Sequence, residues 1–347
     1  MMAETTEKTT VGTEQLVNDV LATIDRERER EIVSRRFGLF DRKETLEQIG
    51  EMLGITRERV RQLEKSVVTR LKATAEQDGL PHIADFEATA LEHLATMGDA
   101  ARISNLSSEL VENPDRLEQA RVAFLALLCP KLIVINEDDY FYQSVGVADH
   151  YDEKKFKIAV QSIIDTIKKL GEPKEIDEIT QAAGLEDSAH VEALASTSKQ
   201  LATLNSRWGL IKWPMVNPKN IRDKIYVILK EHGKHMHFNE ISGAIKDSEF
   251  KRKDVTTQAI HNELIKDKRF VLIGRGIYAL KEWGYEKGTV ADIITDVLKQ
   301  ANEPLHRDEI VKRVLKSRFV KETTILLNLQ GKPQFKRVAK ATYALAE

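Results

Sequence analysis

The sequence predicts a mainly α protein: a helix-turn-helix domain followed by tandem winged-helix-like units, in which α-helices are joined to a short β-hairpin. Three observations predict it. Residues 45–71, TLEQIGEMLGITRERVRQLEKSVVTRL, read as two helices joined at a glycine. A pattern of long helix, short polar–apolar signature, third helix and extended pair then recurs four times. The 347 residues are 41% hydrophobic and 31% charged, enough apolar material for several small cores.

Taken in order, residues 1–24 form a polar N-terminal segment without aromatic residues. In the next segment, residues 25–75, Leu46, Ile49 and Leu53 share one helical face. Gly54 ends that helix, as glycine does where the chain must turn left-handed. Gly50, lacking a side chain, lets the two helices cross closely. Thr56 suits the N-cap of the second helix, where its hydroxyl accepts from an orphan amide. Val60, Leu63, Val67 and Leu71 should face inward, with Glu58, Gln62, Lys65 and Thr69 opposite, Arg61 beside them and Arg57 at the tip. Between Thr56 and Lys72 six Lys/Arg face two Asp/Glu. A solvated amphipathic helix would share that charge pattern. The glycine turn, the cap and the paired helices point instead to a helix for the DNA major groove, whose N-terminal side chains meet base edges while flanking cations meet phosphates. The DNA-facing set is Arg57, Glu58, Arg59, Arg61, Gln62 and Lys65.

On these residues the segment resembles region four of the housekeeping, sigma-seventy type of bacterial sigma factor. REREREIVSRRFGLFD resembles the helix before the helix-turn-helix, and GITRERVRQLE is its most specific run. The resemblance implies that Arg57, Glu58 and Gln62 contact bases of the minus-thirty-five promoter element, and that Arg61 contacts backbone or a base nearby. It also implies docking on the flap of the RNA polymerase β subunit. Arginine can bond guanine bidentately, glutamate can accept from cytosine and glutamine can pair with adenine. The likeness covers about fifty of 347 residues, and the aromatic-rich, promoter-melting region of a complete sigma factor has no counterpart ahead of it. The chain is therefore expected not to open promoters unaided.

The repeats follow at residues 80–150, 151–216, 218–286 and 287–347. Their signatures, RISNL, EIDEI, HFNEI and HRDEI, are spaced 73, 62 and 69 residues apart. Long helices are predicted at 85–96, 154–170, 221–232 and 290–301, with third helices such as 115–128 and 255–266. Each unit closes on an extended pair, and IGRG at 273–276 supplies hairpin turn residues. HFNEISGAI and RFVLIGRGIYALKEWGY make residues 220–285 resemble the HARE helix-turn-helix domain, also found in the RNA polymerase delta subunit. This implies a transcription- or DNA-associated role without chemistry of its own. Tyr278 and Trp283 are expected to anchor the hairpin on its helices.

The net charge of −2 conceals an asymmetry, with −11 over residues 76–217 and +9 over 218–347. An acidic middle suits protein contacts, and a basic end suits phosphate. No apolar run reaches membrane-spanning length and no hydrophobic leader opens the chain, so a cytoplasmic location is expected. Cys129, the single cysteine, excludes an internal disulfide and reads as a buried apolar residue. His232, His235 and His237 lack the cysteine partners of a closed metal site. Glu137, Asp138 and Asp139 read as a wing turn rather than a carboxylate pair. Gly274 and Gly276 lack the lysine of a phosphate loop. No enzyme activity, cofactor, metal or small-molecule substrate is expected. The expected partners are promoter-like double-stranded DNA and core RNA polymerase. Two alternatives stay open: a delta-type polymerase accessory subunit, and the recognition module of a defence or DNA-modification system.

Overall fold

The computed structural model describes residues 12–250, 252, 254–285 and 287–346. It comprises two compact bodies, Met1–Ile211 and Lys212–Glu347.

The first body opens with α1 (Thr13–Ala22), α2 (Glu27–Phe37), α3 (Leu46–Leu53) and α4 (Arg57–Ala75). Part of the expected polar N-terminal segment is thus a helix. Leu16, Val17, Val20 and Leu21 lie on one side of α1 and are buried. The polar run of residues 1–11, which lies outside the described residues, masks this short apolar periodicity in the composition.

Next come α5 (Ile83–Thr96), β1 (Ala100–Arg102), α6 (Ile103–Leu110), α7 (Arg116–Leu128), β2 (Leu132–Ile135) and β3 (Ser144–Val147). The junction expected near residues 75–80 runs through a single core. Val33, Leu39, Val67 and Leu71 pack in the same cluster as Phe86, Leu94, Phe124 and Leu125. Arg121, 4% exposed, fastens the union. Its Nε donates to the Leu39 carbonyl at 2.9 Å, and its Nη atoms pair with Glu118 at 2.6 Å and Glu14 at 2.7 Å.

The body ends with α8 (Glu153–Leu170), β4 (Lys174–Glu175), α9 (Ile176–Ala183), α10 (Ser188–Thr197), β5 (Leu201–Leu204) and β6 (Arg207–Leu210). Phe156, Val160, Ile163 and Ile167 of α8 are fully or almost fully buried. The loop between β2 and β3 is bound to the chain leaving α10. Tyr142 N donates to the Thr197 carbonyl at 2.9 Å, and Lys199 N to the Tyr140 carbonyl at 2.7 Å.

The second body repeats the plan twice. Its first half holds α11 (Ile221–His232), β7 (Met236–His237), α12 (Phe238–Asp247), α13 (Thr257–Lys266), β8 (Phe270–Gly274) and β9 (Ile277–Leu280). Its second half holds α14 (Val290–Ala301), β10 (Leu305–His306), α15 (Arg307–Ser317), α16 (Glu322–Gly331), β11 (Phe335–Ala339) and β12 (Thr342–Leu345). Phe319 N donates to the Ile273 carbonyl at 3.2 Å, so the α15–α16 link lies along β8. Tyr278 is 2% exposed and meets His261 of α13 edge-on, while Trp283 packs beside Val271 and Ala279.

Each unit carries a three-stranded antiparallel sheet, ordered β1-β3-β2, β4-β6-β5, β7-β9-β8 and β10-β12-β11. The mainly α fold class and its small sheets match the sequence prediction. The third strand in each sheet was not predicted. It is two or three residues long and immediately precedes the second helix, too short to show alternation. Pairing alone defines it, as in Met236↔Tyr278. Among the described residues no helix is long and apolar enough to cross a membrane.

Candidate nucleic-acid interface

Local chemistry sets the α3–α4 corner. Thr45 and Gln48 form a reciprocal capping box: Thr45 Oγ1 accepts from Gln48 N at 3.2 Å, and Gln48 Oε1 accepts from Thr45 N at 2.9 Å. Gly54 then turns left-handed at φ 64°. A Cβ at Gly50 would stand 2.7 Å from the Ile55 carbonyl oxygen, so the turn packs directly on that bare backbone. Thr56 Oγ1 caps α4 by accepting from Arg59 N at 3.2 Å.

Two cores hold α4. Val60 joins Ile32 and Ile49 in a small cluster bordered by Leu63. Val67, Leu71 and Ala75 enter the larger core. The N-terminal half is therefore fixed on the helix-turn-helix, and the C-terminal half on the unit that follows.

Arg57, Glu58, Arg59, Arg61, Gln62 and Lys65 are all exposed, and the structure brings them together on the outer face of α4. Glu58 receives Arg61 bidentately, Nε at 2.8 Å and Nη2 at 2.7 Å, and accepts from Gln62 Nε2 at 3.2 Å. The Arg61 guanidinium lowers the Glu58 pKa to about 2, aided by Gln62 and Arg57. Arg57 reaches back to Glu47 of α3 at 2.7 Å. Exposed pairs of this kind hold side chains in place weakly and can exchange for phosphate or base partners.

On one flank of this face, Arg70 and Arg26 bond the buried Glu29 carboxylate at 2.7 and 3.2 Å. That network lowers the Glu29 pKa, chiefly through the Arg70 hydrogen bond, and ties α2 to α4. On the other flank lie Arg61, Lys65 and Lys72. A helix with bonding side chains at its tip and cations on both sides matches what the major groove and its two phosphate borders present.

The third helices of the first three units differ in ways the repeat pattern did not reveal. α7 buries Val122, Ala123, Phe124, Leu125, Ala126 and Leu128, so its second half is closed to a nucleic acid, and Arg116 in its first turn is exposed. Its apolar run was the available signal: a helix with that much to bury has little polar face left. α10, SAHVEALAST, contains no lysine or arginine. α13 exposes Gln258, Asn262 and Lys266.

The remaining candidates have structural roles. His237 Nδ1 caps α12 by accepting from Asn239 N at 3.3 Å, and His235 packs on Phe319 at 4.4 Å between ring centroids. Asp138 accepts from Tyr140 N and Phe141 N, which lowers its pKa and shapes the β2–β3 loop. Glu137 pairs with Lys199 at 2.6 Å. Cys129 is buried, which pushes its thiol pKa far up, and its Sγ donates to the Leu125 carbonyl at 3.3 Å.

Residues 26–73, which include α2 through most of α4, match the family Sigma-70, region 4. A 46-residue stretch is 52% identical to RNA polymerase sigma factor sigB of Arabidopsis thaliana, over 13% of this chain and 8% of that protein. Sixty residues are 48% identical to RNA polymerase sigma factor SigA of a Bacillus species, over 17% of this chain and 15% of the relative. Sixty-one residues are 46% identical to RNA polymerase sigma factor RpoS of Coxiella burnetii, over 17% of each. The chain thus spans less than a fifth of the length of these relatives.

Proposed function

We propose that this protein is a sequence-specific DNA-binding transcription factor that places α4 in the major groove of a short promoter element. Arg57, Glu58 and Gln62 read base edges, while Arg59, Arg61 and Lys65 hold the flanking phosphates. One observation carries this reading: a capped, doubly anchored helix exposes all six side chains on one face, inside the stretch that matches region 4. Association with core RNA polymerase belongs to the same proposal. Because α1 and α7 cover the inner apolar side of the helix-turn-helix, such docking uses its polar surface. No step of this function requires catalysis or a cofactor.

A second reading is a polymerase accessory subunit, with the winged-helix-like units as docking platforms and residues 220–285 as a HARE-type domain. The burial of α7 and the lack of cations on α10 favour protein contacts for the first two units.

An electrophoretic shift with competing duplexes tests base reading. Glu58→Ala with Gln62→Ala should abolish preference for the selected site while retaining general affinity. Unchanged preference would overturn it. Purification of the tagged protein after nuclease treatment tests polymerase association: stoichiometric polymerase supports it, and its absence overturns it.

A further inference from the structure

Beside α4, within the first body, lies a groove of about 1380 Å³. One wall is the helix-turn-helix: Arg42 and Lys43 of the α2–α3 link, and Arg61, Lys65 and Lys72 of α4. The other wall belongs to the unit that follows, with Arg116 and Gln119 of α7 and Asn136 and Gln143 of the β2–β3 loop.

Each of the groove's carboxylates has a partner of its own. Glu64 pairs with Arg36 at 3.2 Å and Glu137 with Lys199 at 2.6 Å. Asp115 caps α7, accepting from Leu117 N and Glu118 N at 2.8 Å. Asp41 accepts from Arg42 N at 2.7 Å. Of the groove's cations, Arg36 and Arg61 are held by Glu64 and Glu58. The other five, Arg42, Lys43, Lys65, Lys72 and Arg116, make no ion pair among the described residues, and all are exposed. Desolvation, with a smaller push from Arg36, lowers the Lys43 pKa against the opposing pull of Glu64 and Glu137.

We propose that the unit following the helix-turn-helix supplies the second wall of the DNA site, so that one phosphate strand bordering the α4 major groove runs between α4 and Arg116 of α7. This rests on the proposal that α4 binds duplex DNA, and extends the DNA-contacting surface beyond the residues that match region 4. The acidic middle of the chain, unfavourable to DNA by net charge, contributes through one local face. The cations from Arg61 to Lys72 extend about 16 Å along the helix, at 1.5 Å per residue, and continue the interface away from the base-reading tip.

The test is salt-dependent binding of the full chain to a duplex carrying its selected site and to a scrambled duplex. Arg116→Glu and, separately, Arg116→Ala are compared with the unsubstituted protein. Arg116 is exposed and its side chain packs in no core, and an unchanged thermal melt verifies that each variant folds. The expected result is weaker binding to both duplexes by the same factor, with the slope of log affinity against log salt shallower by about one for Arg116→Ala. Preference between the duplexes stays as in the unsubstituted protein. Unchanged affinity and slope in both variants would overturn the second wall while leaving α4 as reader. No duplex binding by the unsubstituted protein would overturn both readings.

Discussion

At the scale of single residues, the corner between α3 and α4 separates two kinds of glycine. Gly50 is helical, so alanine there gains about 1 kcal/mol of helix propensity. Its Cβ would nonetheless meet the Ile55 carbonyl oxygen at 2.7 Å, and overpacking against backbone costs about 1–3 kcal/mol. Gly50→Ala should therefore lower the thermal midpoint, more so than a surface alanine elsewhere on α3. Gly54 has open space around its Cβ position but φ 64°, so Gly54→Ala bears only the left-handed penalty of about 1–2 kcal/mol. Glu58 gives a second prediction. Its folded pKa is about 2 against an ordinary 4.5, so the contribution of its pair with Arg61 is present above 4.5 and is lost as pH falls through about 2. A carboxyl NMR titration should give that low midpoint, and Arg61→Ala should move it upward. A midpoint already near 4.5 in the unsubstituted protein would show that the pair does not persist in solution.

At the scale of elements, α7 decides what its neighbours can do. It was legible as a helix, and its bounds differ from the predicted 115–128 by one residue. That it packs on the helix-turn-helix was not legible, because periodicity identifies an apolar face without naming the surface that covers it. Arg121 marks this contact. Its side chain is 5% exposed and bonds Glu14, Glu118 and the Leu39 carbonyl. Arg121→Ala should leave Glu14 and Glu118 open to water but strand the Leu39 carbonyl, a loss of about 1–3 kcal/mol for the first body. Chemical denaturation checks it; a loss below about 0.5 kcal/mol, the usual scale of surface substitutions, would show that the network is not needed to join the elements. The short strands before the second helices teach the same lesson. In Ala100–Arg102 and its three counterparts, geometry is set by a partner strand some forty residues away, and nothing local announces it.

For the whole molecule, the shared core predicts how the chain unfolds. The helix-turn-helix and the next unit bury Val67, Leu71, Phe124 and Leu125 together, so they should melt in one transition. A fragment of residues 25–75 loses the cover of α1 and α7 and should be largely unfolded by circular dichroism. A fragment of residues 212–347 retains its own cores and should fold alone. A cooperative melt from the first fragment would show that the common core is dispensable.

The sequence by itself determined the helices beyond residue 25, the turn at Gly54, the hairpins and the six outward side chains of α4. These depend on spacing, caps and turn residues within a few positions of one another. Only the tertiary structure decided that residues 13–22 form a core helix, that the second half of α7 is buried and that Arg116 in its first turn stands across a groove from Lys65 and Lys72. Each of these is a relation between segments distant in the chain. Burial and charge proximity depend on which surfaces meet, and that is decided only when several amphipathic elements satisfy one another at once.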